Sequence, residues 1–318
     1  MSQIEITILK QGIPSKNVLS CSLFKMTSGY RDFSKYETNF NRFLRSIYIL
    51  EKFETRVYVD DTVKDFVLQA TQGLDTVSVY HYNCEPFRDG PGHTGTFGSI
   101  CRFLPLFEED LETVWISDID IDKSFLNKQL LYYMKDTDSN VYINTVNCYD
   151  RKPWANVKYP IVAHKFISQI KFPKQLMTRF LNRILSGDFD DLIASINEYN
   201  TRKQPNKLFP YGMDEAFLNT SIYNKLKKEN VNVMIFKDYF VSSLLSYNVK
   251  NFPEKLNKIL TEYYKFPTPE LFKKVKDIYR EYIPRIVDKY PCLQELMDNL
   301  DSFKILFGYA FIINSSEL

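Results

Sequence analysis

The sequence predicts an α/β protein with a Rossmann-like mixed sheet and flanking helices, followed by a C-terminal helical appendage. Two observations carry this prediction. Strand-type and helix-type segments alternate over the first 120 residues, as βαβ units require. From residue 252 onward the pattern is helical, and five prolines divide it into short pieces. The 44% hydrophobic and 25% charged fractions are those of an ordinary globular protein.

The elements of the first half follow in order. Residues 17–26 form an apolar run that predicts the first strand. Apolar residues recur every three or four positions over 36–53, which predicts an amphipathic helix. The short strand RVYV at 56–59 precedes a helix at 63–71, and residues 77–82 alternate as a strand.

A glycine-rich stretch at 85–99 interrupts this alternation with four glycines, and we expect a mobile loop over a ligand there. A helix over 96–108, bent by Pro105, leads to the strand TVWI at 113–116.

The second half is less regular. Strands are predicted at 141–146 and 231–236, with helices at 174–185 and 188–199 between them. We therefore divide the chain into a catalytic domain over 1–251 and a helical extension over 252–318. Within the first, a donor half covers about 1–122 and an acceptor half about 123–251.

Several classes of protein are excluded by composition. A net charge of +2 gives no basic surface for nucleic acid. The five cysteines include no CxxC pair, so neither a disulfide framework nor a zinc site is predicted. The chain has no transmembrane-length apolar run and no signal-peptide pattern at its start. We expect a soluble protein of the cytoplasm, a reducing compartment, with a bacterial or viral origin favoured over the Golgi.

The strongest chemical signal is the pair Asp118 and Asp120 directly after the strand TVWI. Carboxylates at i and i+2 beyond a buried strand can converge on one hard cation such as Mn²⁺ or Mg²⁺. Such an ion neutralises a leaving diphosphate. A solvated acidic loop that merely closes the strand is the alternative. A third acid, Asp122, is expected to be peripheral.

Three blocks resemble the GT-A-fold glycosyltransferases that use nucleotide-diphosphate sugars. The segment 95–122, GTFGSICRFLPLFEEDLETVWISDIDID, is similar to their donor-site segment. YPIVAHKF at 159–166 resembles a segment near the acceptor, and YGMDEAFLN at 211–219 resembles a Tyr-Gly-x-Asp-Gln-x-Phe-Leu block, with Glu215 in place of the usual Gln. Together the blocks cover about a third of the chain in the expected order, and no single family is assigned.

The resemblance implies roles on the donor side. Asp118 and Asp120 would hold the metal and, through it, the donor diphosphate. Arg102 would contact the diphosphate or the donor sugar, with a surface ion pair as its alternative role. Phe24 and Lys25, at the end of the first strand, would flank the nucleoside together with Asp60 and Asp61, although Asp61 suits a helix N-cap equally well.

On the acceptor side, Asp214 or its neighbour Glu215 is the candidate catalytic carboxylate, because an inverting enzyme needs a base for the acceptor hydroxyl. Helix capping is the alternative role for Asp214. Asp238, at the end of a strand, is the candidate third metal ligand. Trp154 and His164 are candidate contacts for the acceptor sugar.

Together with the acid pair, the resemblance implies a metal-dependent glycosyltransferase, specifically a hexosyltransferase, with a UDP-sugar donor and a glycan or other hydroxyl acceptor. Two alternatives stay open: a phosphatase or nucleotidyltransferase that uses Asp118 and Asp120, and a non-catalytic carbohydrate-binding relative. A phosphatase of the haloacid dehalogenase type needs a later acidic motif, which residues 187–192 match only in part. The C-terminal helices suit either the acceptor site or a homodimer contact.

Overall fold

The structure, a computed structural model of the chain, describes residues 4–26, 32–120, 134–135, 137–146, 153, 156–200, 205–239, 241–250, 252–265, 268–301 and 308–318. The strands are β1 (Glu5–Lys10), β2 (Asn17–Leu23), β3 (Phe53–Val59), β4 (Val77–Asn83), β5 (Arg88–Asp89), β6 (Gly92–His93), β7 (Thr113–Ser117), β8 (Val141–Val146), β9 (Lys165–Ser168), β10 (Asn232–Asp238) and β11 (Gly308–Asn314). The α-helices are α1 (Phe33–Leu44), α2 (Lys64–Ala70), α3 (Gly98–Cys101), α4 (Gln175–Leu185), α5 (Asp190–Tyr199), α6 (Met213–Phe217), α7 (Tyr223–Leu226), α8 (Val241–Asn248), α9 (Phe252–Lys265), α10 (Pro269–Tyr282) and α11 (Cys292–Asp298).

A nine-stranded mixed sheet, in the order β1-β4-β3-β2-β7-β9-β8-β10-β11, organises the described residues. The four strands β4, β3, β2 and β7 are parallel neighbours. The chain steps from β2 through β3 to β4 in one direction and places β7 on the other side of β2. The predicted α/β class with a Rossmann-like mixed sheet is therefore confirmed, and the reversal of strand order lies between β2 and β7.

The other half of the sheet mixes directions. β9 runs antiparallel to both β7 and β8, whereas β8 and β10 are parallel. β1 is antiparallel to β4 and forms an edge that the sequence patterns did not predict.

Alternation along the strands divides the core between the two faces of the sheet. Tyr58 and Tyr80 pack into one buried cluster, and their strand neighbours Val57 and Val79 pack into the other. Every residue of β3 is buried, as expected for a parallel strand covered by helices on both sides.

The C-terminal region differs from the prediction in one element. α9, α10 and α11 are helical, as predicted, and form a third buried cluster with α8. Gly308–Asn314, however, forms β11, which pairs antiparallel with β10 and returns the chain to the central sheet. A short apolar run is compatible with either a buried helix or a strand, so its periodicity alone does not decide between them.

The cysteines show one departure from the sequence-based expectation. Cys21, Cys84 and Cys101 are free and buried, but Cys292 is disulfide-bonded. Among the helices of the described part of the chain, none is long and apolar enough to cross a membrane.

Candidate functional site

A cavity of about 270 Å³ opens where β2 and β7 end. In open α/β sheets, ligands bind beyond the carboxyl ends of the strands at the point where strand order reverses. The cavity occupies that position. Its lining combines charged, polar and aromatic side chains: Ser22, Leu23, Phe24, Lys25, Met26, Phe33, Tyr36, Thr96, Ser99, Arg102, Asp118, Ile119, Asp120, Ala163, His164, Tyr211, Gly212, Asp214 and Glu215.

Arg102 bridges two carboxylates of this cavity. Its Nη1 donates to Oδ1 of Asp118, and its Nη2 donates to Oδ2 of Asp214 at 2.6 Å. The Arg102 side chain is only 6% exposed, whereas that of Asp118 is 36% exposed. The alternative prediction for Arg102, a surface ion pair, is therefore wrong.

The charge of Arg102 is stabilised by its two partners. Burial would lower the pKa of the guanidinium, but the charges of Asp118 and Asp214 outweigh that effect and the pKa lies above its ordinary value. Ser20 on β2 donates its hydroxyl to the Arg102 carbonyl at 2.7 Å and so ties the end of α3 to the sheet. Nε of Arg102 is buried without a hydrogen-bond acceptor among the described residues.

Asp214 is positioned by the glycine-rich loop. Thr96 donates from its amide to the Phe209 carbonyl at 2.9 Å and from its hydroxyl to the Pro210 carbonyl at 3.0 Å. Gly95 lies so close to Phe209 that a Cβ would meet its carbonyl oxygen at 2.1 Å. Gly212, at φ +110°, then turns the chain into α6. The predicted mobile loop is thus a loop hydrogen-bonded to the segment that carries Asp214.

Asn219 connects the two acceptor-side blocks, a role that the sequence patterns did not indicate. It lies in a π-helical turn, Leu218–Ile222, between α6 and α7. Its buried side chain accepts from the Ile161 amide at 2.8 Å and donates to the Ile161 carbonyl at 3.0 Å. It also donates to the Glu215 carbonyl at 2.8 Å. One side chain therefore holds Glu215 next to the segment that runs from Ile161 to the cavity-lining residues Ala163 and His164.

The two acids after β7 differ in environment. Asp118 is half-buried against Arg102, while Asp120 is exposed at the cavity. Both present carboxylate oxygens, which suit a hard divalent cation with water or phosphate completing its shell. The part of the chain that the structure describes contains no group of three His, Cys, Asp or Glu residues that could hold a metal.

Asp60 and Asp61 do not line the cavity. Asp60 is fully buried, accepts from the Thr62 amide at 3.0 Å and lies 3.5 Å from Nδ1 of His93. Asp61 pairs with Lys64, His81 and Arg88, which together hold its pKa down to about 2, with the Lys64 hydrogen bond as the largest influence. Asp61 does not cap α2, and the predicted nucleoside contacts of both residues stay predictions.

Asp238 also lies apart from the cavity lining. Asp238 ends β10, is buried, and pairs with Lys165 at 3.3 Å. Its metal-ligand role stays a prediction. Trp154 and Asp122 lie outside the described residues.

An aromatic wall lies beside β2, and apart from Phe24 its members were not among the residues that the sequence patterns indicated. Phe24, Phe33 and Tyr36 line one end of the cavity, and Lys25 places its ammonium 4.6 Å from the Phe33 ring centroid. Tyr211, 44% exposed, lines the cavity beside Asp214. The helix was predicted over 36–53, whereas α1 begins at Phe33, so the sequence pattern did not include Phe33 and treated Tyr36 as part of an amphipathic helix.

Comparison with known proteins does not assign a family. No family model matches the sequence, and no curated protein matches it. Among solved structures, the chain is similar to 4-diphosphocytidyl-2C-methyl-D-erythritol synthase from Anaerococcus prevotii, at 13% identity and a TM-score of 0.33. The match covers 65% of this chain and 99% of that one. A likeness of this extent establishes neither a family nor an activity.

Proposed function

We propose that this protein is a metal-dependent glycosyltransferase that moves a sugar from a nucleotide-diphosphate sugar, with UDP as the expected nucleotide, to a hydroxyl acceptor. One observation carries the proposal. A cavity at the reversal of strand order brings together an acid pair, a buried arginine, two further carboxylates and an aromatic wall. A nucleotide sugar needs each of these: cations for the diphosphate, a carboxylate for the hydroxyl and a flat apolar surface for the base.

Asp118 and Asp120 are the residues that would hold Mn²⁺ or Mg²⁺, because both offer hard carboxylate oxygens to the cavity. When bound, the ion would supply positive charge against the leaving diphosphate. Arg102 lines the same cavity with its guanidinium donating to Asp118 and Asp214, and its planar fork of N–H groups would suit phosphate oxygens that replace Asp118. The metal ion and the Arg102 guanidinium would therefore both bind the diphosphate of the donor.

Asp214 and Glu215 supply the carboxylates for the acceptor side. In the transfer, the bond between the anomeric carbon and the diphosphate oxygen breaks, and a bond from the acceptor oxygen to that carbon forms. The acceptor proton moves to a carboxylate of this pair in an inverting reaction. His164 lines the same cavity and is the proposed contact for the acceptor sugar.

The proposal is tested with a panel of nucleotide sugars incubated with the purified protein and Mn²⁺, with EDTA as the control. Metal-dependent release of free nucleotide diphosphate supports it, and Asp120→Asn is expected to lower that rate at least about 100-fold. Glu198→Gln, on the exposed face of α5, is the matched control and should keep full activity. Release of phosphate from simple esters would support a phosphatase instead. Turnover that survives Asp120→Asn would contradict the metal role.

A further inference from the structure

We propose that Arg102 is an internal counter-cation of Asp118, so that it competes with the metal ion when the ion arrives alone and cooperates with it when a nucleotide diphosphate is present. This inference rests on the proposed function, because it assigns Asp118 to the metal. It concerns a regulation of the site that neither the acid pair nor the resemblance implies.

The competition follows from the contacts of Asp118. Its Oδ1 already accepts from the buried guanidinium of Arg102. A divalent ion at the same carboxylate would displace this hydrogen bond or lie within a few ångströms of a fixed positive charge. Repulsion between two such cations is strong at a partly buried site, because screening by water is weak there.

The guanidinium has another anchor that keeps it in place. Asp214 accepts from Nη2 at 2.6 Å, and its side chain is only 15% exposed. Arg102 therefore cannot move into solvent when a metal ion approaches without breaking a second ion pair. Its charge therefore stays beside the metal position, because an arginine side chain does not lose its proton in a protein.

A nucleotide diphosphate reverses the sign of the effect. Its phosphate oxygens would add negative charge near the two cations and could accept from Nη1 of Arg102 in place of Asp118. Arg102 can then donate to the diphosphate instead of Asp118, and the Asp118 carboxylate becomes available to the metal ion. The site would thus favour the metal and nucleotide together over the metal alone.

The test compares Mn²⁺ binding with nucleotide binding in the same variants. Binding of Mn²⁺ alone is measured from the loss of the free-ion electron paramagnetic resonance signal, and UDP binding is measured by calorimetry with saturating Mn²⁺. For Arg102→Met we expect Mn²⁺ alone to bind about 10-fold more tightly than in the wild type, and UDP to bind at least about 10-fold more weakly. Arg285→Met, which removes an exposed arginine near the C-terminus, is the control and should change neither constant.

Two further variants keep the test decisive. Arg102→Lys retains a cation and should leave the affinity for Mn²⁺ alone near that of the wild type. Arg102→Gln retains polar contacts without the charge, and gives the same reading as Arg102→Met if the methionine variant does not fold. Mn²⁺ binding that is sensitive to Asp120→Asn, yet unchanged or weaker without the Arg102 charge, would overturn this inference and leave the proposed function standing. Absence of any Asp120-sensitive Mn²⁺ binding would overturn the metal site itself.

Discussion

The guanidinium of Arg102 donates to the carboxylate of Asp214 at 2.6 Å, although 112 positions separate them in the chain. Arg102 follows α3 in the first half, and Asp214 lies on α6 in the second. The same guanidinium also reaches Asp118 after β7. One buried cation therefore joins the ends of three elements at a single cavity.

This bridge predicts a stability effect for Asp214→Asn. The substitution leaves a buried guanidinium with one charged partner instead of two, so we expect the free energy of unfolding to fall by about 1–3 kcal/mol. Urea denaturation of the variant and the wild type measures the difference. Glu198→Gln, at an exposed position, should stay within about 0.5 kcal/mol of the wild type. An unchanged midpoint for Asp214→Asn would show that the ion pair does not contribute to stability.

The anchor at Asn219 gives a second prediction. Asn219→Ala leaves the Ile161 amide and carbonyl without their side-chain partner in a buried setting, which should cost about 2–3 kcal/mol. Asn224→Ala, on the same helical run, removes only an exposed contact to the Thr220 carbonyl and should cost less than about 0.5 kcal/mol. Thermal or urea unfolding of the two variants separates these values. Equal losses would argue against a special role for Asn219.

The parallel part of the fold was predictable because its signals are local. β2, β3 and β7 each appear as short apolar runs with polar residues beyond them, and helix-period segments separate them. β11 was not predictable in this way. Its run of apolar residues became a strand only because β10 lies in register beside it, from Asn232 opposite Asn314 to Asp238 opposite Gly308.

The candidate site was predictable to the extent that strand ends mark it. Asp118 and Asp120 follow β7, and they do line the cavity. Asp60 follows β3 by the same reasoning but is buried under local contacts to Thr62 and His93, because the sequence does not show which loop folds over a strand end. The aromatic wall and the Asn219 contacts depend on packing between segments that are distant in the chain, so no local sequence pattern predicts them.

Gly308 tests the docking of the last strand. A Cβ at this position would meet the Lys237 carbonyl oxygen at 1.7 Å on β10, so Gly308→Ala must push β11 away. We expect a loss of about 2–4 kcal/mol and faster amide exchange along β10. Gly73→Ala is the control, since Gly73 has a φ of +76° but open space around its Cβ position. It should cost only about 1 kcal/mol, from backbone strain. Equal effects would mean that the close approach of β11 is not required.

The lowered pKa of Asp61 predicts that the stability of the fold depends on pH. Its pKa is lowered in the folded state to about 2, through Lys64 first and then Arg88 and His81, while the unfolded value is near 3.8. A depressed carboxylate pKa stabilises the fold above the unfolded pKa, and this stabilisation is lost as the pH falls from about 4 toward 2. At pH 6 the free energy of unfolding of the wild type should therefore be about 1 kcal/mol higher than that of Asp61→Asn, after allowance for solvent screening. This difference in stability should become smaller below pH 4. Unfolding titrations across this range check it, and a gap that stays constant with pH would contradict the assignment.

The location of the metal and nucleotide is the central claim, and anomalous diffraction at the manganese edge tests it directly. Crystals grown with Mn²⁺ and UDP should show one strong anomalous peak within coordination distance of Asp118 and Asp120, with the diphosphate between the ion and Arg102. The peak should disappear in Asp120→Asn crystals grown under the same conditions. A peak at another part of the chain, or well-ordered UDP bound away from the cavity at the ends of β2 and β7, would contradict the account.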